Sequence, residues 1–554
     1  MKKLLYIFIV SFCLISCSKD LTEYYDRADQ LEAANQTQAQ VNKELEAANQ
    51  QLKQQALRLQ ATLDSLAKAI EKQSTPPVLV AMAFSAAENP ILTEDLICEI
   101  SGSGTIECWL PQYSGSKELI PRFSFLGTEI TINGVKATSG STKYDFSSPV
   151  KLEVKSGGKT VEYQVYVYNY TGLPIMRIDT EGGQEIVSKT VYLNAHMSLT
   201  EDLVTRGPGE TVEANLQIKG RGNSSWAQPK KSYRLKFDEK ISLFGEHKDK
   251  SWVLIANYSD KSMLRNFITY YMGKTSSLEW TPGSHFVELV MNGHFCGTYL
   301  LCEKIKVSNH RVAVGDDGFL LEMDRRADQD SSNVFITPVY APYMIIKEPE
   351  VTYGDANYQY IARYIAEAEQ VLFSDNFKDS NEGWQKYLDM DSFVDWYLIH
   401  EIAKNADCLF NFSTYMHLKR GEKLKMGPLW DFDIAYGNVK ENNTEYLSFI
   451  STDGLIVSWS QWLTRLMQDP VFLSKVRQRY SVFYNHKKDY ISVLNDYANY
   501  LRHSAAENEK KWGTFYHYTY KNSDIWGTYQ NEVQSLKLWL DSRMDWLKNN
   551  FKRR

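Results

Sequence analysis

The sequence predicts an α+β chain: a coiled-coil helix, then a β-sandwich, then a strand-rich lobe followed by a helix-rich lobe. Three observations carry this. Residues 20 to about 73 keep a heptad pattern with no proline or glycine. Residues 78–170 alternate in short runs broken by turn signals. From 357 onward apolar residues recur at helical spacing. With 554 residues the chain is too long for one core, and at 43% apolar and 23% charged most of it should fold. The net charge of −6 argues against general nucleic-acid affinity, which needs a basic face to replace phosphate counterions.

The first element reads as a secretion signal, residues 1–16. Lys2 and Lys3 precede an apolar run, Leu4 to Ile15, too short to cross a bilayer as a mature helix. Leu14-Ile15-Ser16-Cys17 resembles a bacterial lipobox, in which a small residue before Cys permits cleavage and the thiol receives a lipid. The expectation is a lipid-anchored protein outside the cytoplasm, at the outer membrane or cell surface. A Cys17→Ala protein should lose its lipid and leave the membrane fraction; retention through a high-salt wash would contradict the reading. Beyond the leader, Cys98, Cys108, Cys296, Cys302 and Cys408 show no zinc-ligand spacing and suit small buried hydrophobes.

Residues 17–74 form the stalk. LEAANQ occurs at 31–36 and again at 45–50, and Leu31, Leu45, Leu52, Leu59 and Leu66 share one heptad position. The helix is either an oligomerising coiled coil or a monomeric spacer, since several seam positions are polar. Thr75-Pro76-Pro77 ends it, because proline lacks the amide donor. The module at 75–172 contains Glu129-Ile130-Thr131-Ile132 before Asn133-Gly134, and the alternating run Val161 to Tyr168. These features suggest an Ig-like sandwich acting as a spacer, or as a glycan- or protein-binding module. In the remainder, 173–554, Ile361, Tyr364, Ile365, Ala368 and Leu372 share a helical face. Asp391 is placed to cap a helix burying Val394, Tyr397, Leu398 and Ile402, and Val533 to Phe551 is amphipathic.

Three constellations could carry chemistry. Lys219-Gly220-Arg221-Gly222-Asn223-Ser224-Ser225-Trp226 reads as a glycine loop between two strands, Thr211–Lys219 and Lys231–Phe237. It either admits a polyphosphate to backbone amides or is a tight loop with a solvated basic rim. In Asn405-Ala406-Asp407-Cys408-Leu409-Phe410-Asn411, an Asp and an Asn four residues on can hold a hydroxyl and a divalent ion together, or can make ordinary Asx turns. In Trp430-Asp431-Phe432-Asp433, an extended backbone would point both carboxylates one way with the aromatics behind them. Such a pair suits Mg²⁺ or Mn²⁺; the alternative is a polar loop with two capped turns.

In order along the chain stand KGRGNSSWAQPKKSYRLKF, WVLIANYSDKSMLRN, VELVMNGHFCGTYLLCEKI, GFLLEMD, NADCLFNFSTYMH and PLWDFDIAYGN. This series resembles the CotH family of spore-coat kinase-like proteins over roughly residues 173–554. The resemblance implies an atypical protein-kinase-like two-lobed fold that transfers a phosphoryl group from ATP to protein Ser or Thr, with Mg²⁺ or Mn²⁺. It implies Asp407 as the catalytic aspartate and Asp431 as the metal-binding one, with Asn411 and Asp433 nearby. It places Lys231, Arg234 and Lys236 on the strand expected to contact nucleotide phosphates, and Glu303 and Glu322 in matching acidic positions. The expected partner is an envelope or secreted protein. The alternative is a catalytically silent kinase-like surface protein that binds an envelope, host or glycan partner.

Overall fold

The computed structural model describes residues 40–61, 76–92, 94–102, 104–110, 116–200, 211–408, 410–439, 447–456, 460–519 and 525–553. The signal segment, Cys17 and the stalk outside 40–61 lie outside the described residues. Residues 40–61 are helical, as the heptads imply, and Leu45, Leu52 and Leu59 on the seam position are exposed. No described helix is long and apolar enough to cross a membrane. The chain divides into two compact units at Val167 and Tyr168, except that the segment from Trp109 to Gly115 counts with the second.

The first unit holds two larger sheets and a two-stranded pairing of Glu118–Leu119 with Tyr144–Asp145. One has three strands in the order Leu96–Ile97, Val78–Phe84, Pro121–Leu126. The other has six, with Lys159–Asn169 and Val150–Ser156 at its centre. The alternation predicted at 161–168 is present, with Tyr163, Val165 and Val167 buried. Asn133-Gly134 makes the expected tight hairpin between Glu129–Ile132 and Val135–Lys136. Both residues have positive φ, 49° and 78°, as the strand twist requires of a two-residue turn.

The second unit is mixed α+β. Seven strands close into a barrel in the order Ile175–Thr180, Leu193–Thr200, Thr211–Arg221, Ser232–Ile241, Asp249–Ile255, His294–Glu303, Ser284–Met291. Closure comes from parallel pairing of the first and last strands, Ile175 opposite Glu288 through Ile178 opposite Met291. Inward positions such as Ile218, Leu235, Trp252, Leu289 and Leu301 fill the interior, since every second side chain points inside. A separate five-stranded sheet follows, in the order Val334–Ile336, Tyr343–Glu348, Phe319–Met323, Thr414–Leu418, Lys425–Met426. Helices Arg265–Lys274, Ala356–Phe373, Met390–Ala403, Leu447–Ile450, Gln461–Leu466, Pro470–Asn485, Lys487–Trp512 and Tyr529–Arg553 complete the described part of the unit.

Helix Met390–Ala403 anchors the site that follows it. Ser392 to Ala403 are all buried, so the helix is enclosed on every side rather than on the one face predicted. Its charged members are therefore paired: Glu401 with Arg543 at 2.9 Å and Asp395 with Arg479. Its N-cap is Asp389, not Asp391. The Asp389 side chain accepts from Ser392 N at 2.8 Å, because the helix begins two residues earlier than the pattern suggested. It ends at Lys404 in a left-handed conformation, φ 46°, which turns the chain sharply into Asn405-Ala406-Asp407.

Candidate active site

A cavity of about 730 Å³ opens between the barrel strands and the five-stranded sheet, within the second unit. The barrel supplies Lys219 and Arg221 from Thr211–Arg221, Arg234 from Ser232–Ile241, and Lys304 just past His294–Glu303. The other wall brings Glu322, Asp324, Arg326, Lys347, Asp407, Tyr415, Asp431 and Asp433. Val253, Leu320, Ile345 and Ile434 add apolar surface.

The cationic side is built against its own electrostatics. Lys219 and Arg234 stand directly opposite each other on antiparallel neighbours, so two like charges share one face. Burial, and then the Arg234 charge, hold the Lys219 ammonium below its usual range. Lys304 is pushed down to about 8, by burial first and by Arg234 next. Arg234 carries a buried Nε with no hydrogen-bond partner among the described residues. Such a set is stable only at a cost, and an anion between the cations would relieve it.

The acidic side has a single organiser. Asn405, fully buried, accepts from Asp407 N at 3.1 Å through its carbonyl oxygen and donates from Nδ2 to the Asp431 carbonyl at 3.0 Å. One amide therefore ties together two aspartates 24 positions apart. Asp431 has φ 67°, a strained setting for a residue with a Cβ. Phe432 N, donating to Asn266 Oδ1 at 2.8 Å, fixes the peptide beyond it. The Asp431 carboxyl is pushed up to about 6 by burial first and then by the neighbouring Asp407 charge. Arg221, the Ser413 hydroxyl at 3.2 Å and Arg326 pull the other way. Arg326 is itself engaged with Asp324 at 2.7 Å.

The sequence-derived residues fare unequally. Asp407, Asp431, Asp433, Arg234 and Glu322 line the cavity. Lys231 does not: its ammonium donates to the Trp226 carbonyl at 2.7 Å and lies over the Trp226 ring. Lys236 lies two residues beyond Arg234 on the same strand face, exposed and outside the cavity lining. Asn411 also lies outside that lining, and its side-chain oxygen accepts from Tyr340 at 3.1 Å. Glu303 is consumed by Arg311 at 3.1 Å. The 430–433 segment is not extended, because the left-handed Asp431 breaks the alternation, yet both acids still reach the cavity. Lys219 and Arg221 belong to the basic rim that the sequence shows around the 219–226 loop. Lys304, Ser413 and Asn405 carried no signal beyond lying inside the quoted motifs.

The glycine loop also needs correction. Gly220 and Arg221 belong to the strand. A Cβ on Gly220 would stand 2.2 Å from the Trp226 ring, so this glycine makes room for tryptophan, while Gly220, Gly222, Asn223, Ser224 and Ser225 still line the cavity. Gly220→Ala should displace Trp226 and cost about 1–3 kcal/mol in a denaturant melt. An unchanged midpoint would show that the ring moves freely.

Fold and site together define a mixed α+β protein with a cationic–acidic cavity. The match to the family model described as CotH, CotH kinase protein, spans residues 218–547. The chain belongs to the CotH family. No curated protein matches it. Among solved structures, one named as a candidate glycoside hydrolase from Bacteroides thetaiotaomicron shares 15% identity, covering 51% of this chain and 75% of that one. Its TM-score is 0.16, and likeness at that level carries no argument.

Proposed function

We propose that this chain is a metal-dependent phosphotransferase, moving the terminal phosphoryl group of ATP to Ser or Thr hydroxyls of a protein through a kinase-like two-lobed arrangement. The observation carrying it is the joining of Asp407 and Asp431, through Asn405, in one cavity with Lys219, Arg234 and Lys304. Phosphoryl transfer asks little covalent help of a protein; it asks for cations on the phosphates, a metal on carboxylates and a positioned hydroxyl.

The residues fit a hard divalent ion. Asp431 is an oxygen donor beside a second carboxylate, and Arg221 and Arg326 leave its pKa above the ordinary value, so positive charge is still in demand there. Among the described residues no three His, Cys, Asp or Glu side chains form a ready cage. Mg²⁺ or Mn²⁺ would complete its shell with water and phosphate oxygens. Asp431 and Asp433 would hold the ion, which when bound screens phosphate charge. Lys219, Arg234 and Lys304 hold the phosphates, and the apolar group around Leu320 and Ile345 receives the base. Asp407 orients the acceptor hydroxyl and takes its proton on a carboxylate oxygen.

The location belongs to the same reading. A lipid on Cys17 and the stalk, either self-associating or monomeric, would hold the catalytic unit outside the cytoplasm near an envelope or secreted protein. The Leu45, Leu52 and Leu59 stripe supports self-association. The test is thermal melting with ATP, with Mn²⁺ or Mg²⁺, and with both. A rise of several degrees only when both are present supports the reading. No rise in any combination leaves the binding-protein alternative.

A further inference from the structure

Cys98 and Cys108 lie in the first unit, and nothing in the phosphotransfer reading uses them. Glu99 pairs with Glu107 and Ile100 with Ile106 on antiparallel strands, and the same register carried one residue past the ladder's end sets Cys98 opposite Cys108. The pair type follows from the backbone. Ser101 N donates to Thr105 O at 2.8 Å, making that pair hydrogen-bonded. Pair types alternate along an antiparallel ladder, so 100/106 is non-bonded, 99/107 bonded and 98/108 non-bonded. Cys98 N agrees, since it points away and donates to Met82 O at 2.9 Å. Non-bonded pairs bring Cα atoms to about 4.5 Å with side chains closest, inside the range a disulfide spans. Both side chains are buried, and both thiols are free. Burial raises the Cys108 thiol, and the Cys98 sulfur adds to that by contact.

We infer that Cys98 and Cys108 are a disulfide-forming pair, closed into a cross-strand bond by a small-molecule or protein disulfide. The bond would sit where the chain passes between sheets, for Ile97 pairs with Ala83 in the three-stranded sheet and Glu99 with Glu107 in the six-stranded one. The chemistry balances by exchange. One cysteine, as thiolate, attacks a sulfur of the reagent disulfide and releases one thiol. The second then loses its proton and attacks the mixed disulfide, releasing the other thiol. The two cysteines are oxidised, the reagent is reduced, and the two protons pass to its thiolates.

The test uses the full chain, reduced and then equilibrated with oxidised and reduced glutathione, denatured, alkylated and mapped by mass. The expected result is one linked species joining the Cys98 and Cys108 peptides, lighter by about 2 Da than the reduced pair, with Cys296, Cys302 and Cys408 alkylated. Full alkylation of both, or capture of either by glutathione or another cysteine, overturns the inference. A second measurement compares melting with the Cys98→Ala/Cys108→Ala protein, which keeps small apolar side chains at both positions. The oxidant should raise the wild-type midpoint by several degrees and leave the double variant unmoved. An equal rise in both overturns it.

Discussion

Asp431→Asn should make the ligand-free protein more stable above pH 6 and remove its metal-dependent hold on nucleotide. The stability half follows from linkage. The folded carboxyl sits at about 6, above the ordinary value of 3.8. The native state therefore binds this proton more tightly than the unfolded chain does. Stability falls as pH rises from about 4 to about 6, and above that the cost is constant. The amide cannot ionise, so the variant escapes the cost, at most about 3 kcal/mol and less where cavity water screens the charge. The Ser413 bond survives, because the amide oxygen still accepts it. Melting from pH 4 to 8 should show the variant's advantage growing with pH and levelling above 6. The functional half follows from charge. Without the carboxylate, too little negative charge remains to hold a divalent ion against the cations around it, and the joint ATP–metal shift in melting should vanish. A variant that is less stable at pH 8, or that keeps the joint shift, would remove Asp431 from the metal role.

Asp407→Asn should separate the two halves of the proposed chemistry. Transfer should fall about 10²–10⁴-fold, the usual worth of a positioned base. Nucleotide affinity should stay within about threefold, because the phosphates are held from the barrel side. The amide keeps the shape, so the main-chain bond from Asp407 N to Asn405 is undisturbed. It also removes the neighbouring charge that, after burial, raises the Asp431 carboxyl, so that group should titrate lower. Equal loss of binding and transfer would place Asp407 with the metal instead.

Much of this was legible because it is local. Alternation at 161–168, the Asn133-Gly134 turn and the helical face around Ile361 and Ile365 depend on near neighbours, and each is present. Barrel closure was not legible, since it rests on pairing Ile175 with Glu288, more than a hundred positions away. The site divides the same way. Asp407, Asp431 and Asp433 stood out by motif. Choosing among Lys231, Arg234 and Lys236 required knowing that Lys231 is turned onto Trp226 and that Lys236 runs past the cavity. Lys304 follows a buried strand end and looked like any charged residue. Asn411 had the right spacing, but the turn carries its side chain to Tyr340. Asn405, the residue holding both aspartate segments, reads in sequence only as a helix-end asparagine.

The most direct test of the central claim is a transfer assay with ATP labelled in either the γ- or the α-phosphate, with Mg²⁺ or Mn²⁺ and candidate envelope proteins. The account predicts label on Ser or Thr from γ-labelled ATP only, dependent on the metal and absent in Asp407→Asn. Label arriving from the α-phosphate would mean that a nucleotidyl group is moved instead, and no label from either, despite bound nucleotide, would contradict the phosphotransferase reading.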